Sequence, residues 1–173
     1  VGTLGDSEAA IVIKKVKRDA QGNVIKTSAE VVECSRVINW STPEEAKRAA
    51  KILGIPLIEF LFPFLGDKRA RFPYGDCGLN VSRAVGDLIY QPGVIQDVDV
   101  VEAPLKPNDD FEIYLILASD GVWDYEKGKI LAEKVMLPNW DHPDMAKKIG
   151  KHALKKKLSQ DNVSVVAIKI QAA

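Results

Sequence analysis

Cysteine and histidine are scarce in this chain of 173 residues. The two cysteines, Cys34 and Cys77, cannot form the disulfide framework of a small secreted domain, so we interpret both as free thiols in a reducing compartment. The two histidines, His142 and His152, have no cysteine or histidine partner at the spacing of a zinc site. The sequence therefore excludes a disulfide-rich secreted domain and a zinc module, and we expect a cytoplasmic or nuclear protein.

Long hydrophobic runs and an excess of one charge are also missing. The longest apolar runs, residues 55–62 and 113–118, are far too short to span a membrane. Lysine and arginine total 24, as do aspartate and glutamate, so no overall positive field attracts nucleic acid or an anionic membrane. We therefore predict neither of these as a partner. Hydrophobic residues make up 46% of the chain, enough for the core of one domain over residues 1–173.

Strand and helix patterns occur without regular alternation, which favours an α+β fold over a doubly wound sheet. A turn at residues 19–23 predicts a hairpin, and the stretch at 55–79, punctuated by proline and glycine, predicts a long loop. Apolar patterns predict strands at residues 9–16, 30–37, 94–101, 111–118 and 163–170. They predict a helix at residues 127–135 and another opened by Asp141 and Pro143, with Met145, Ala146, Ile149, Ala153 and Leu158 on one face.

The clearest helix start lies at Thr42. Pro43 suits the first helical position, and Glu45 completes the spacing of a capping box with Thr42. Gly54 is positioned to end this helix.

Several aspartates fall at predicted strand ends. Asp120 follows the apolar run at 113–118 and precedes a glycine, Asp124 comes four residues later, and Asp161 directly precedes the last predicted strand. Asp6 has a similar position near the start of the chain. Carboxylates gathered in this way suit Mg²⁺ or Mn²⁺. Asp-Gly and Asp-Asn pairs are also common in turns, so the spacing alone favours turn residues and does not establish a metal site.

Four motifs in order resemble the type 2C, metal-dependent serine/threonine protein phosphatases. They are Gly5-Asp6-Ser7, Asn80-Val81-Ser82-Arg83-Ala84-Val85-Gly86-Asp87, Leu117-Ala118-Ser119-Asp120-Gly121-Val122-Trp123-Asp124 and Ser159-Gln160-Asp161-Asn162-Val163-Ser164-Val165.

The resemblance implies a four-layer α/β/β/α sandwich of two antiparallel sheets, present here as the carboxy-terminal part of the catalytic domain. It implies that Asp120 and Asp161 help to hold two Mg²⁺ or Mn²⁺ ions, and that Asp6 and Asp124 contribute to a weaker third metal site found in some members. It further implies hydrolysis of phosphoserine and phosphothreonine in protein substrates by a metal-bound water, and a variable flap at about residues 38–78. Arg83 and Asp87 resemble signature positions of the family, and because buried charges usually pair, we interpret them as scaffold residues rather than catalytic ones.

The sequence departs from the family pattern in ways that leave rival functions open. No Asp-Gly-His segment occurs, Glu8 replaces the arginine that usually follows Gly-Asp-Ser, and the chain opens at Val1 without methionine. We therefore expect this chain to be inactive alone and to require the amino-terminal half of the same domain as a partner. The alternatives are a pseudophosphatase that serves as a binding scaffold and a regulatory module within a larger signalling protein.

Overall fold

A computed structural model of the chain describes residues 1–64, 67–73, 78–104, 111–156 and 159–170. Its contacts divide the chain into two compact units. The first unit contains Val1, Ser7–Ser35 and Val101–Ala173, and the second contains Gly2–Asp6 and Arg36–Val100. The assignment of all 173 residues to a single domain stays a prediction.

The first unit is built on a four-stranded antiparallel sheet. Strands β2 (Glu8–Arg18) and β3 (Val24–Glu33) form the predicted hairpin, in which the Asp19 carboxylate accepts hydrogen bonds from the backbone of the turn. Strand β7 (Phe111–Ala118) pairs with β2 on one side and with β8 (Val165–Ile170) on the other. The strand order is therefore β3-β2-β7-β8, and the most apolar strand is central, as its continuous run predicts.

Helices cover one face of this sheet. Helix α3 (Asp120–Trp123) follows β7 directly, and α4 (Gly128–Leu131) continues through a π-helical segment and a 3₁₀ turn to Asn139. Helix α5 (Met145–Lys156) confirms the predicted amphipathic helix. Its buried residues Met145, Ile149 and Ala153 pack with Tyr114 and Ile116 of β7. The predicted core position Leu158 lies outside the described residues.

The opposite face of the sheet carries a smaller apolar cluster. Ala9 and Ile11 of β2 pack there with Ile113 of β7 and with Cys34, which is buried as a free thiol. Burial raises the pKa of the Cys34 thiol, so the thiol stays protonated and serves as an apolar core group. Cys77 lies outside the described residues.

The second unit has its own aromatic core. Trp40, Phe60 and Phe72 meet edge to face with ring centroids 5.2 to 6.0 Å apart. Helix α1 (Pro43–Leu53) packs against this core and ends at Gly54 in the left-handed conformation, as expected.

The prediction of a loop over residues 55–79 is wrong in part. The described residues there form helix α2 (Leu57–Phe60) and an antiparallel hairpin of β4 (Leu61–Phe64) and β5 (Asp67–Ala70). Proline and glycine punctuate this segment, but burial of aromatic side chains between them supplies the energy that orders it. Its identification as a variable flap stays a prediction.

Three other local expectations are corrected. Within residues 94–101 only β6 (Asp99–Val100) forms a strand, pairing with β1 (Gly2–Thr3), because Val94 turns into the aromatic core instead. The strand predicted at 30–37 ends at residue 33. The capping box is absent, since the Thr42 hydroxyl donates to Val37 O and not to the helix.

The fold class is confirmed as α+β, with antiparallel sheets and flanking helices. None of the described helices is long and apolar enough to cross a membrane.

Candidate functional site

Three strand ends coincide at one end of the first unit's sheet. Ala118, the last residue of β7, is paired with Val165, the first residue of β8, and with Glu8, the first residue of β2. Asp120 lies two residues beyond β7, and Asp161 lies four residues before β8. The antiparallel pairing of β7 with β8 therefore brings the two loops that carry these aspartates to the same end of the sheet.

Ser119 ties these two loops together. Its hydroxyl donates to the Asn162 carbonyl at 3.0 Å and accepts from the Ser164 N–H at 3.1 Å. Its own N–H donates to the Ser164 carbonyl, also at 3.1 Å. Ser119 and Asn162 adjoin Asp120 and Asp161 in sequence, so these bonds fix the backbone on which both aspartates stand.

Gly121 makes this close approach possible. A Cβ atom at this position would lie 2.4 Å from the Asn162 carbonyl oxygen, far inside any permitted contact. Gly121 lies in α3 and does not have a positive φ angle, unlike Gly5 and Gly86. The glycine of the Asp-Gly pair is therefore required for contact between the start of α3 and the loop at Asn162, and not for a left-handed turn.

Each aspartate is held by the backbone of its own loop. The Asp120 carboxylate accepts the Gly121 N–H at 2.8 Å, and the Asp161 carboxylate accepts the Asn162 N–H at 2.6 Å. Within the described ranges neither carboxylate forms an ion pair. Asp120 is half-buried and Asp161 is exposed, so both can meet a ligand from solvent.

The other two predicted ligands, Asp124 and Asp6, lie in different surroundings. Asp124 is exposed at the end of α3, and its N–H donates to the Asp120 carbonyl at 2.9 Å, one helical turn away. Asp6 is half-buried and belongs to the second unit. Among the residues that the structure describes, no group of three or more His, Cys, Asp or Glu side chains is arranged to hold a metal ion. The assignment of the four aspartates as metal ligands stays a prediction.

A cavity of about 350 Å³ lies between the first residues of β2 and the segment from Trp123 to Lys129, and neither Asp120 nor Asp161 lines it. Trp123 lines it, and the indole N–H of Trp123 donates to the carbonyls of Glu8 and Ala118 at 3.2 and 3.0 Å. Glu126, another lining residue, is 4% exposed and accepts a hydrogen bond from His152 Nε2 at 2.9 Å. Sequence reasoning missed this pair because 26 residues separate its members and neither belongs to a motif.

The Asn80–Asp87 motif belongs to the second unit, where its residue Arg83 forms an ion pair and hydrogen bonds within that unit. Arg83 donates to Glu45 Oε1 at 2.5 Å and to the Asp97 carbonyl at 2.9 Å, and Arg48 donates to Glu45 Oε2 at 3.0 Å. Burial by itself would raise the pKa of Glu45, but the hydrogen bonds from both arginines outweigh it and hold that pKa below its usual value. These contacts support the scaffold interpretation of Arg83. Asp87 is exposed and has a left-handed φ of 51°.

The sequence matches the family model described as Protein phosphatase 2C over residues 1–163. A probable protein phosphatase 2C of Arabidopsis thaliana is 37% identical over 92 residues, covering 53% of this chain and 24% of that protein. A probable protein phosphatase of Dictyostelium discoideum is 29% identical over 181 residues, covering 98% of this chain and 15% of that protein.

Solved structures share the fold. The serine-threonine phosphatase 2C from Toxoplasma gondii superposes with a TM-score of 0.70 at 21% identity, covering 98% of this chain and 54% of that one. A C. elegans sex determining protein superposes with a TM-score of 0.67 at 25% identity, covering 95% of this chain and 35% of that one. The chain thus spans about half, or less, of the length of each of these proteins.

Proposed function

Because this chain belongs to the protein phosphatase 2C family, we propose that it is the carboxy-terminal part of a metal-dependent phosphatase acting on phosphoserine and phosphothreonine in proteins. The observation that carries the proposal is the junction of the Asp120 and Asp161 loops. The Ser119 hydroxyl forms two hydrogen bonds between those segments. Gly121, which has no side chain, allows its backbone to approach the Asn162 carbonyl closely.

Asp120 and Asp161 are the residues that we propose as ligands for Mg²⁺ or Mn²⁺, with Asp124 and Asp6 each as a further candidate ligand. Their carboxylate oxygens are the hard donors that these ions prefer, so the donor chemistry fits. A bound divalent cation would make water acidic enough to supply hydroxide near neutral pH and would neutralise charge on the phosphoryl oxygens. The contribution of this chain is to orient the two carboxylates through Ser119 and Gly121.

The described donors do not make a complete set, so further ligands have to come from elsewhere. We propose that the amino-terminal half of the same domain supplies them and that this chain alone is inactive. This chain covers only 54% of the Toxoplasma phosphatase on which it superposes, so a protein of this fold has residues outside the matched part that could supply further ligands. We also propose a cytoplasmic or nuclear location, where phosphoprotein substrates occur.

The test uses the complete gene product with Mn²⁺ and a phosphothreonine peptide, and it measures phosphate release. We expect Asp120→Asn and Asp161→Asn each to lower kcat/KM on the order of 100-fold or more, since both change a ligand and not core packing. The matched control is Glu133→Gln, which neutralises an exposed carboxylate of the same unit and should leave kcat/KM unchanged.

Near-normal hydrolysis by the Asp120→Asn protein would overturn the assignment. If the complete wild-type protein neither hydrolyses the peptide nor takes up Mn²⁺ in a calorimetric titration, the scaffold alternative replaces the enzyme.

A further inference from the structure

Helix α5 concentrates positive charge in a chain whose formal net charge is zero. Its 12 residues include no aspartate or glutamate. The lysines are Lys147, Lys148, Lys151, Lys155 and Lys156.

The exposed face of α5 is a stripe of lysines. Lys147, Lys151 and Lys155 follow one another at four-residue spacing and are all exposed, so they share one face over about 12 Å. Among the described residues, no carboxylate lies within ion-pair distance of these three or of Lys148. Like charges at this spacing repel each other and destabilise the helix, so an anionic partner would relieve a real cost.

A depression of about 240 Å³ lies at the start of this stripe. It is lined by Lys147, Lys148 and Lys151 together with His142 and a single carboxylate, Asp144. His142 Nδ1 accepts the Asp144 N–H at 3.0 Å, so the ring carries its proton on Nε2 and adds another donor. The three lysines outweigh Asp144, and the depression is large enough for a phosphoryl or carboxylate group.

We propose that these residues form a docking surface, the α5 basic patch of His142, Lys147, Lys148 and Lys151, for an acidic or phosphorylated segment of a protein partner. The role of the patch in docking substrates depends on the proposed phosphatase function. Its binding of an acidic segment does not depend on that function. The patch would hold an anionic stretch of the substrate and so raise the local concentration of its phosphorylated residue.

Other anionic partners fit this surface less well. The apolar residues Met145, Ile149 and Ala153 are buried against the sheet. In the described part of α5 only Leu154 exposes a large apolar side chain, which is too little apolar surface to insert into a lipid bilayer. The depression has no Phe, Tyr or Trp lining residue on which a nucleic-acid base could stack. A protein segment needs only the charges that the patch presents.

The experiment measures binding separately from catalysis. The complete gene product carrying Asp120→Asn is titrated against a fluorescent peptide containing phosphoserines and glutamates, with fluorescence anisotropy as the readout. The combined variant Lys147→Glu, Lys148→Glu and Lys151→Glu should weaken binding about ten-fold, and the corresponding glutamine variant about three-fold. The matched control reverses three other exposed lysines, Lys17, Lys26 and Lys51, and should bind as the parent does.

Equal weakening in the control, or none in the patch variants despite native circular dichroism, overturns the proposal. Patch-dependent binding to phosphatidylserine vesicles or to single-stranded DNA that is tighter than binding to the peptide also overturns it. With Asp120 restored, the patch variants should hydrolyse p-nitrophenyl phosphate as the wild type does. If the complete protein with Asp120 intact binds the peptide through the patch but has no phosphatase activity, the docking proposal is supported and the proposed function is refuted.

Discussion

Glu45 in the second unit and the pair Asp120 and Asp161 in the first unit show two different ways of accommodating a carboxylate charge. Glu45 in the second unit is 5% exposed and faces the guanidinium groups of Arg83 and Arg48. Asp120 and Asp161 in the first unit lie at a strand end, accept one neighbouring N–H each, and have no ion-pair partner among the described residues. The first arrangement compensates its charge internally, whereas the second leaves its charge to solvent and, on our proposal, to a bound cation.

This difference teaches how structural and functional acids can be separated. A buried carboxylate is tolerated only when it is paired, and removing one partner leaves an uncompensated charge. A carboxylate on a rigid, solvent-facing loop costs little without a partner, provided the loop is held by other bonds. Loss of a paired, buried acid should therefore cost more stability than loss of an exposed one.

Glu45→Ala should destabilise the protein most. The change leaves the partly buried Arg83 and Arg48 without their carboxylate, and we expect the free energy of unfolding to fall by about 3 kcal/mol. The midpoint and slope of urea unfolding of the complete protein measure this. Glu44→Ala alters the exposed neighbouring residue and is the control, with an expected change within about 0.5 kcal/mol. Similar losses in the two variants would remove the distinction.

Gly121→Ala should disrupt the junction of the two aspartate loops. The added methyl group meets a backbone oxygen that cannot move aside cheaply, so we expect a loss of about 1–3 kcal/mol together with reduced activity. Gly150→Ala in α5 is the matched control, because its Cβ would meet Val163 at an ordinary 3.6 Å. That variant should be neutral or slightly stabilised by better helix propensity. Thermal unfolding and phosphopeptide hydrolysis give the two readouts, and an unperturbed Gly121→Ala protein would contradict the structure.

The paired acids should also govern stability at low pH. As at Glu45, burial alone would raise the pKa of Glu112, but hydrogen bonds from Lys14 and Lys169 outweigh it and lower that pKa. Because both folded-state pKa values lie below the unfolded ones, this stabilisation is present above about pH 4.3 and is lost as the pH falls through the folded values.

Urea unfolding measured between about pH 3 and pH 6 tests this. Glu45→Gln and Glu112→Gln should each flatten the acid-side decline in the free energy of unfolding, whereas Glu44→Gln should keep it. A decline that is as steep in the Glu45→Gln protein as in the wild type would show that Glu45 is not titrating as described.

Thr42→Ala should have the smallest effect. An N-cap hydroxyl that bonds the helix is worth about 1 kcal/mol, but Thr42 donates only to Val37 O, at 3.3 Å. We expect a change of less than about 0.5 kcal/mol in the free energy of unfolding. A loss near 1 kcal/mol would mean that the hydroxyl does cap α1 in solution, as the sequence pattern predicts.

Much of the first unit could be predicted from the sequence because its signals are local. The apolar run of β7, the turn at Asp19 and the apolar spacing of α5 each reflect a period that a single element imposes on its own residues. The second unit was harder to predict. Its order comes from Trp40, Phe60 and Phe72 meeting across 32 residues, and proline and glycine mask that contact in the sequence. The Glu45–Arg83 pair could not be inferred either, because the capping-box pattern predicts that Glu45 interacts with Thr42, only three residues away.

The sequence by itself determined the family, the fold class and which aspartates are candidate metal ligands, because motifs and periodicity are properties of the chain. Only the tertiary structure decided which of those aspartates share one end of a sheet and which acid is neutralised internally. It also decided that Gly121 is required for a contact between loops. Those outcomes depend on strand register and on the packing of residues distant in sequence, which local patterns do not encode.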